Sequence, residues 1–166
     1  MRFPKRIGFL FIQAVGLIFL LPILAVAELL IGTVSAVHDG DTFTIKTETS
    51  QHKVRLAGID APELDQPLGV ESRDSLRKVV LHKLVLIETV KNDKYGRVIG
   101  KVTHDGLDVN LKQIQAGMAW VYKDYVKELS KEDRVLYFKA EVQSKAVGIG
   151  LWKDAVVVEP WIWRKK

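Results

Sequence analysis

The sequence predicts an α+β domain built around a small β-barrel. Three observations carry that expectation. Short β-branched runs alternate apolar and polar residues between tight turn signals, one helical pattern interrupts them, and two more follow. The 166 residues suit one such domain plus a leading segment of different composition. That segment, "IGFLFIQAVGLIFLLPILAVA" (7–27), follows Arg2, Lys5 and Arg6 and ends on Ala25-Val26-Ala27. A basic start, an apolar core and a small-x-small end form the pattern of a secretory signal peptide, here cleaved before Glu28. The apolar run approaches the length of a bilayer span, so an uncleaved signal anchor is the alternative; Gln13, Gly16 and Pro22 favour cleavage. The chain thus divides into residues 1–27, a domain over 28–155 and a C-terminal tail over 156–166. The domain is expected to be exported, secreted or periplasmic, or else held on the far side of a membrane by 7–27.

"ELLIGTVSAV" (28–37), "TFTIKT" (42–47) and "HKVRLAGI" (52–59) read as three strands of a meander, joined by Asp39-Gly40 and by the polar "ETSQ". Asp-Gly suits a hairpin because glycine accepts positive φ and aspartate caps its own turn. "DAPELDQPLG" (60–69), with two prolines, is a loop. "VESRDSLRKVVLHKL" (70–84) has helical spacing, with Leu76, Val79, Val80 and Leu84 on one face. "VLIETV" (85–90) and "RVIGKVTH" (97–104) are the fourth and fifth strands, around the polar loop "KNDKYG". "LDVNLKQIQAG" is a short helix stopped by Gly117, and "MAWVYKDY" (118–125) is extended. A last helix runs from about Ser130 to Val147, with Val135, Phe138, Val142 and Ala146 on its apolar side.

Asp41 opens the second strand and Asp60 closes the third, so a hairpin meander brings both carboxylates to one side of the sheet. Oxygen ligands without nearby cysteine suit a hard cation, Ca²⁺ or Mg²⁺, rather than zinc. His38, in "HDGDT", reads as a turn neighbour more than a ligand. Glu63, three residues past Asp60, is placed to orient or deprotonate a water at such a site, although "APE" taken in isolation more readily reads as the start of a turn. Arg55 lies five positions before Asp60. That odd spacing puts the two on opposite faces of an ideal strand, so a bend or bulge has to reconcile them. Arg97 starts the fifth strand. Two arginines beside a metal suggest a phosphodiester, because guanidinium forks bind phosphate oxygens and stabilise transition-state charge.

"VHDGDT", "VRLAGIDAPE" and "DKYGR", in that order, resemble the staphylococcal (thermonuclease-type) nuclease family; "GMAWVY" and "SKAVGIGLW" fit its downstream pattern. The resemblance runs from about Thr33 to Trp152. It implies a five-stranded OB-fold-type barrel with three helices, and calcium-dependent cleavage of DNA and RNA to 3′-phosphorylated products. By position it implies Asp41, Asp60 and the backbone carbonyl of Ala61 as calcium ligands. Glu63 matches the general base, and Arg55 and Arg97 the two phosphate-binding arginines. Lys94 and Tyr95 match neighbours of a terminal phosphate. Tyr122 matches one of two site tyrosines; Trp120 stands in the place of the other and can stack on a base without supplying a hydroxyl.

Three of the 25 basic residues lie in 1–27, which leaves 22 against 20 acidic ones, about +2 for the rest. So small an excess does not by itself draw a polyanion; any basic surface has to be local. The absence of cysteine excludes a disulfide framework, a thiolate zinc site and a lipidated N-terminal cysteine. The expected partners are DNA and RNA, single strands preferred. No obligate protein partner is evident, a monomer is expected, and membrane contact would come only through 7–27. The tail "EPWIWRKK" (159–166) offers aromatic rings and positive charge that could pack back on the domain, extend a nucleic-acid groove or touch anionic lipid. A non-catalytic OB-fold nucleic-acid-binding module is the competing class. Asp41, Asp60, Glu63, Arg55 and Arg97 together favour an enzyme.

Overall fold

A computed structural model describes residues 28–153 and 157–166. The reading of 7–27 as signal peptide or anchor lies outside the described residues, as does the boundary at 155/156. Strands β1 (Glu28–Val37), β2 (Thr42–Lys46) and β3 (Gln51–Leu56) form the expected antiparallel meander. The third strand is shorter than its pattern suggests. Ala57 and Gly58 turn the chain before β4 (Ile59–Asp60) resumes it. Gly58 takes φ +70°, and Leu129 fills the space where a Cβ would stand.

Helix α1 (Gly69–Val80) buries Leu76 and Val80. It stops where Leu81 becomes extended, so Leu84 opens β5 (Leu84–Asn92) and is exposed rather than sharing the helix face. β6 (Val98–His104), β7 (Leu107–Asp108) and α2 (Val109–Gln115) follow. The sheet order is β3-β2-β1-β5-β6-β7, and a parallel pairing of β3 with β6 closes β1, β2, β3, β5 and β6 into a five-stranded barrel. Closure removes the free edges of the barrel strands. Val34, Phe43, Ile45, Val54, Leu56, Ile87 and Val102 fill the core. This is the expected OB-fold-like α+β architecture.

The segment 118–125 is extended only at β8 (Trp120–Val121), which pairs with β4; Lys123–Glu128 then coils into 3₁₀ turns. Helix α3 (Lys131–Val147) has the expected bounds but not the expected face. Val135 and Val142 are 67% and 64% exposed, whereas Tyr137, Ala140, Glu141 and Ser144 are buried. The reason is that α3 docks by hydrogen bonds. The Tyr137 hydroxyl donates to Asp108 Oδ2 at 2.9 Å, Glu141 Oε1 accepts from Val121 N at 3.0 Å, and Ser144 Oγ donates to Ile114 O at 2.8 Å. Beyond the three expected helices, α4 (Pro160–Trp163) is a single turn in the tail.

Candidate active site

The turn that aims Asp41 is held from two sides. His38 N donates to Thr42 O, and Gln113 of α2 donates from Nε2 to Gly40 O at 2.7 Å and to Ser72 O at 3.2 Å. Gly40 is needed for a reason the Asp-Gly pattern did not reveal. Its φ lies outside the left-handed region, but a Cβ would stand 1.9 Å from Ser72 Oγ and 2.7 Å from Ala61 Cβ. Glycine here lets α1 approach the turn. His38 points its Nε2 at Thr44 Oγ1 (2.8 Å), so it belongs to the barrel wall.

Arg55 and Asp60 meet because of the Ala57–Gly58 turn, which supplies the bend their spacing demanded. Buried Asn110 fastens that turn, donating to Ala57 O at 3.0 Å and Gly100 O at 3.3 Å while accepting from Val102 N. Arg55 Nη2 donates to Asp60 Oδ1 at 2.8 Å and lies 3.3 Å from Asp41 Oδ2. Asp41 also accepts from Thr42 Oγ1 at 2.8 Å and from Ala61 N at 3.0 Å. The two carboxylate residues are 5% and 1% exposed. Glu63 sits on the following tight turn, where Gln66 N donates to Glu63 O and Glu63 N to Gln66 Oε1.

Burial, reinforced by the Asp41 charge, pushes the Asp39 carboxyl up to about 7. Burial likewise pushes Asp60 up to about 6, against the opposing pull of its arginine partners and with the Asp41 charge adding to the rise. Such burial disfavours the charged carboxylate unless a cation offsets it. For Arg55, burial disfavours the charge, but Asp41 and Asp60 outweigh it and hold the guanidinium protonated.

Across a cleft of about 910 Å³ lies a second cluster. Asp93 Oδ1 accepts from Tyr95 N and Arg97 N, each at 2.9 Å, and Oδ2 from Arg97 Nε at 2.7 Å. Burial would raise Asp93, but these hydrogen bonds, Arg97's foremost, keep it below the usual carboxylate range. Lys94 and Arg97 stand 5.0 and 5.5 Å from the Tyr95 ring. Arg97, Lys94 and Tyr95 therefore line the same cleft as Asp41, Arg55, Asp60 and Glu63 without touching them.

The family model for "Staphylococcal nuclease homologue" matches residues 53–154. The chain belongs to that family. It is 39% identical over 136 residues to an Escherichia coli protein named "Uncharacterized endonuclease", covering 81% of this chain and 85% of that one. A Haemophilus influenzae protein of the same name is 37% identical over 131 residues, 78% of this chain and 70% of its own. A Shigella flexneri "Micrococcal nuclease" is 32% identical over 143 residues, 81% and 80% of the two chains.

Two aromatic positions of this staphylococcal nuclease homologue diverge in the structure. Tyr122 lines the cleft, with Arg55 Cζ 5.8 Å from its ring. Trp120 does not line it. It is 4% exposed and wedged edge-on between Trp152 and Trp161, at 5.5 and 6.4 Å, because its backbone pairs with Asp60 across β4–β8. Its place is under the site as a support, not open to a stacking base.

One site residue was not foreseen. Arg164, from the tail, donates from Nη2 to Asp60 Oδ2 at 2.7 Å and from Nη1 to Asp60 Oδ1 at 3.2 Å and Glu63 Oε1 at 2.6 Å. Only the basic end of "EPWIWRKK" hinted at it. The oxygen-rich corner of Asp41, Asp60 and the adjacent backbone of Ala61 fits a hard divalent cation. Among the described residues no three acidic or imidazole side chains gather into a full cage. A cation there would take its remaining ligands from backbone and water, as such ions commonly do.

Proposed function

We propose that the chain is a calcium-dependent nuclease hydrolysing phosphodiester bonds of DNA and RNA. One observation carries this reading: a single Arg55 nitrogen lies between two buried carboxylates, with Glu63 opening onto the same cleft. Asp41, Asp60 and the Ala61 carbonyl would hold Ca²⁺, which when bound neutralises charge on the phosphate. Arg55 and Arg97 face that phosphate from two walls and stabilise the charge that builds on its oxygens. Glu63 accepts a proton from the attacking water. In-line attack forms the new P–O bond and breaks P–O5′, and the leaving O5′ takes a proton from solvent, giving a 3′-phosphate and a 5′-hydroxyl. Lys94 and Tyr95 flank the cleft where a terminal phosphate would lie, and Tyr122 offers a ring to the nucleotide.

Incubating the full chain with single-stranded DNA and RNA in calcium, then in chelator, tests the proposal. Cleavage in calcium that chelation abolishes, with 3′-phosphate ends, is the expected result. Binding without cleavage would leave a nucleic-acid-binding module. The apolar stretch 7–27 supports export of the domain. Protein recovered outside the cytoplasm with Glu28 as its first residue is the outcome to look for.

A further inference from the structure

Arg164 of the tail reaches into the cleft and Trp161 stacks on Tyr122 of its wall, and we propose that residues 157–166 form an intramolecular plug that must be displaced before cation and nucleic acid can engage. The inference rests on the proposed function for what is displaced, but its observations are separate. Arg164 spends its fork on both oxygens of Asp60 and on Glu63 Oε1. Three charge-assisted hydrogen bonds are a strong set. They fall on the groups that hydrolysis needs free: a carboxylate for the divalent ion and the oxygen that would take the proton. Arg55 bonds Asp60 only through Oδ1, whereas Arg164 takes Oδ2, the oxygen Arg55 leaves for an ion, so a cation binding there has to displace the Arg164 charge.

The rings block the other half of the site. Trp161 stacks on Tyr122 at 5.2 Å with only 4° between planes, covering a face that a base would use. The plug has a built seat. Gln66, buried, donates to Val158 O, and Trp163 Nε1 donates to Asp65 Oδ1 at 3.2 Å. Both anchors lie in the loop that carries Glu63. A third arginine serving only the substrate phosphate would leave Glu63 Oε1 unpartnered, whereas Arg164 takes it.

The same seat is releasable. α4 is one turn, the Arg164 side chain is 40% exposed, and Lys165 and Lys166 are in solvent. Short elements with few buried contacts open at low cost. A ligand for a site that is covered most of the time binds with an affinity reduced by the open fraction. Calcium and a nucleic-acid strand therefore each compete with the tail and assist the other.

Full-length Arg164→Ala and Trp161→Ala, with circular dichroism to confirm folding, test the plug by three readouts. Calorimetric titration with Ca²⁺ is expected to show binding about tenfold tighter in Arg164→Ala. Fluorescence anisotropy of a labelled oligothymidylate in chelator is expected to show tighter binding in Trp161→Ala, which alters no charge. Cleavage in sub-saturating calcium is expected to rise in both. Unchanged or weaker calcium affinity in Arg164→Ala overturns the proposal. So does weaker oligothymidylate binding in Trp161→Ala, which would make the tail part of the groove. If the binding gains appear but no variant cleaves, the plug stands and hydrolysis falls. If the parent cleaves and neither gain appears, hydrolysis stands and the plug falls.

Discussion

Glu63 and Arg55 sit in such different surroundings that substitution separates chemistry from stability. Glu63 is about one-third exposed, and Gln would keep its acceptor oxygen. Glu63→Gln is therefore expected to lower kcat by about 100-fold or more, the range for a lost general base, with Tm unchanged. Arg55→Ala is expected to lower turnover as far, but also to lower Tm, since it strips Asp41 and Asp60 of a buried partner. Turnover and thermal melts on both variants check this, and wild-type-like turnover in either removes that residue from the reaction. Gly40 teaches a related lesson. "HDGDT" reads as a turn from residue preferences, and it is one. The glycine is nonetheless demanded by Ser72, 32 positions away, and no local rule contains that contact.

At the scale of elements, α2 and α3 hold the site through buried polar groups rather than apolar stripes. Asn110 and Gln113 of α2 fasten the turns that carry Asp60 and Asp41. α3 is tied to the start of α2 by Tyr137 and Asp108, which itself caps α2 by accepting from Leu111 N. Burial, followed by the Asp108 charge and hydrogen bond, raises the Tyr137 phenol well above its usual range. The folded state thus holds that proton more tightly than the unfolded chain does. Its contribution is complete below the unfolded phenol value of about 10 and is lost as pH rises beyond it. Urea unfolding at pH 7 and at pH 11 is expected to show an alkaline loss that Tyr137→Phe reduces, Lys101 and Tyr122, also raised, supplying part of the rest, at a cost of about 1 kcal/mol at pH 7. An alkaline loss of equal size in Tyr137→Phe would assign it elsewhere.

For the whole molecule, barrel closure through β3–β6 brings the second cluster across from the first. Arg55 and Arg97 line one cleft because Arg55 pairs with Ile99, two residues past Arg97. A cation that binds only the folded protein stabilises it by mass action. Calcium at about 100 times its dissociation constant is expected to add up to about 2.7 kcal/mol, raising Tm by several degrees and reversing on chelation. A melting temperature indifferent to calcium would remove the cation from Asp41 and Asp60.

The sequence by itself determined the strand-and-helix order and the place of the turns, because periodicity and turn chemistry are local. Asp41, Asp60, Arg55 and Glu63 could be named from it as candidates, and the fold brings them to one cleft. What only the tertiary structure decided depends on groups far apart in the chain. The polar face of α3 escapes a count of apolar residues, since its burial is satisfied by hydrogen bonds from other elements. Trp120 is turned inward by a β4–β8 pairing that no spacing encodes. Arg164 reaches Asp60 across 104 positions, because a desolvated pair of carboxylates attracts a cation wherever the fold delivers one.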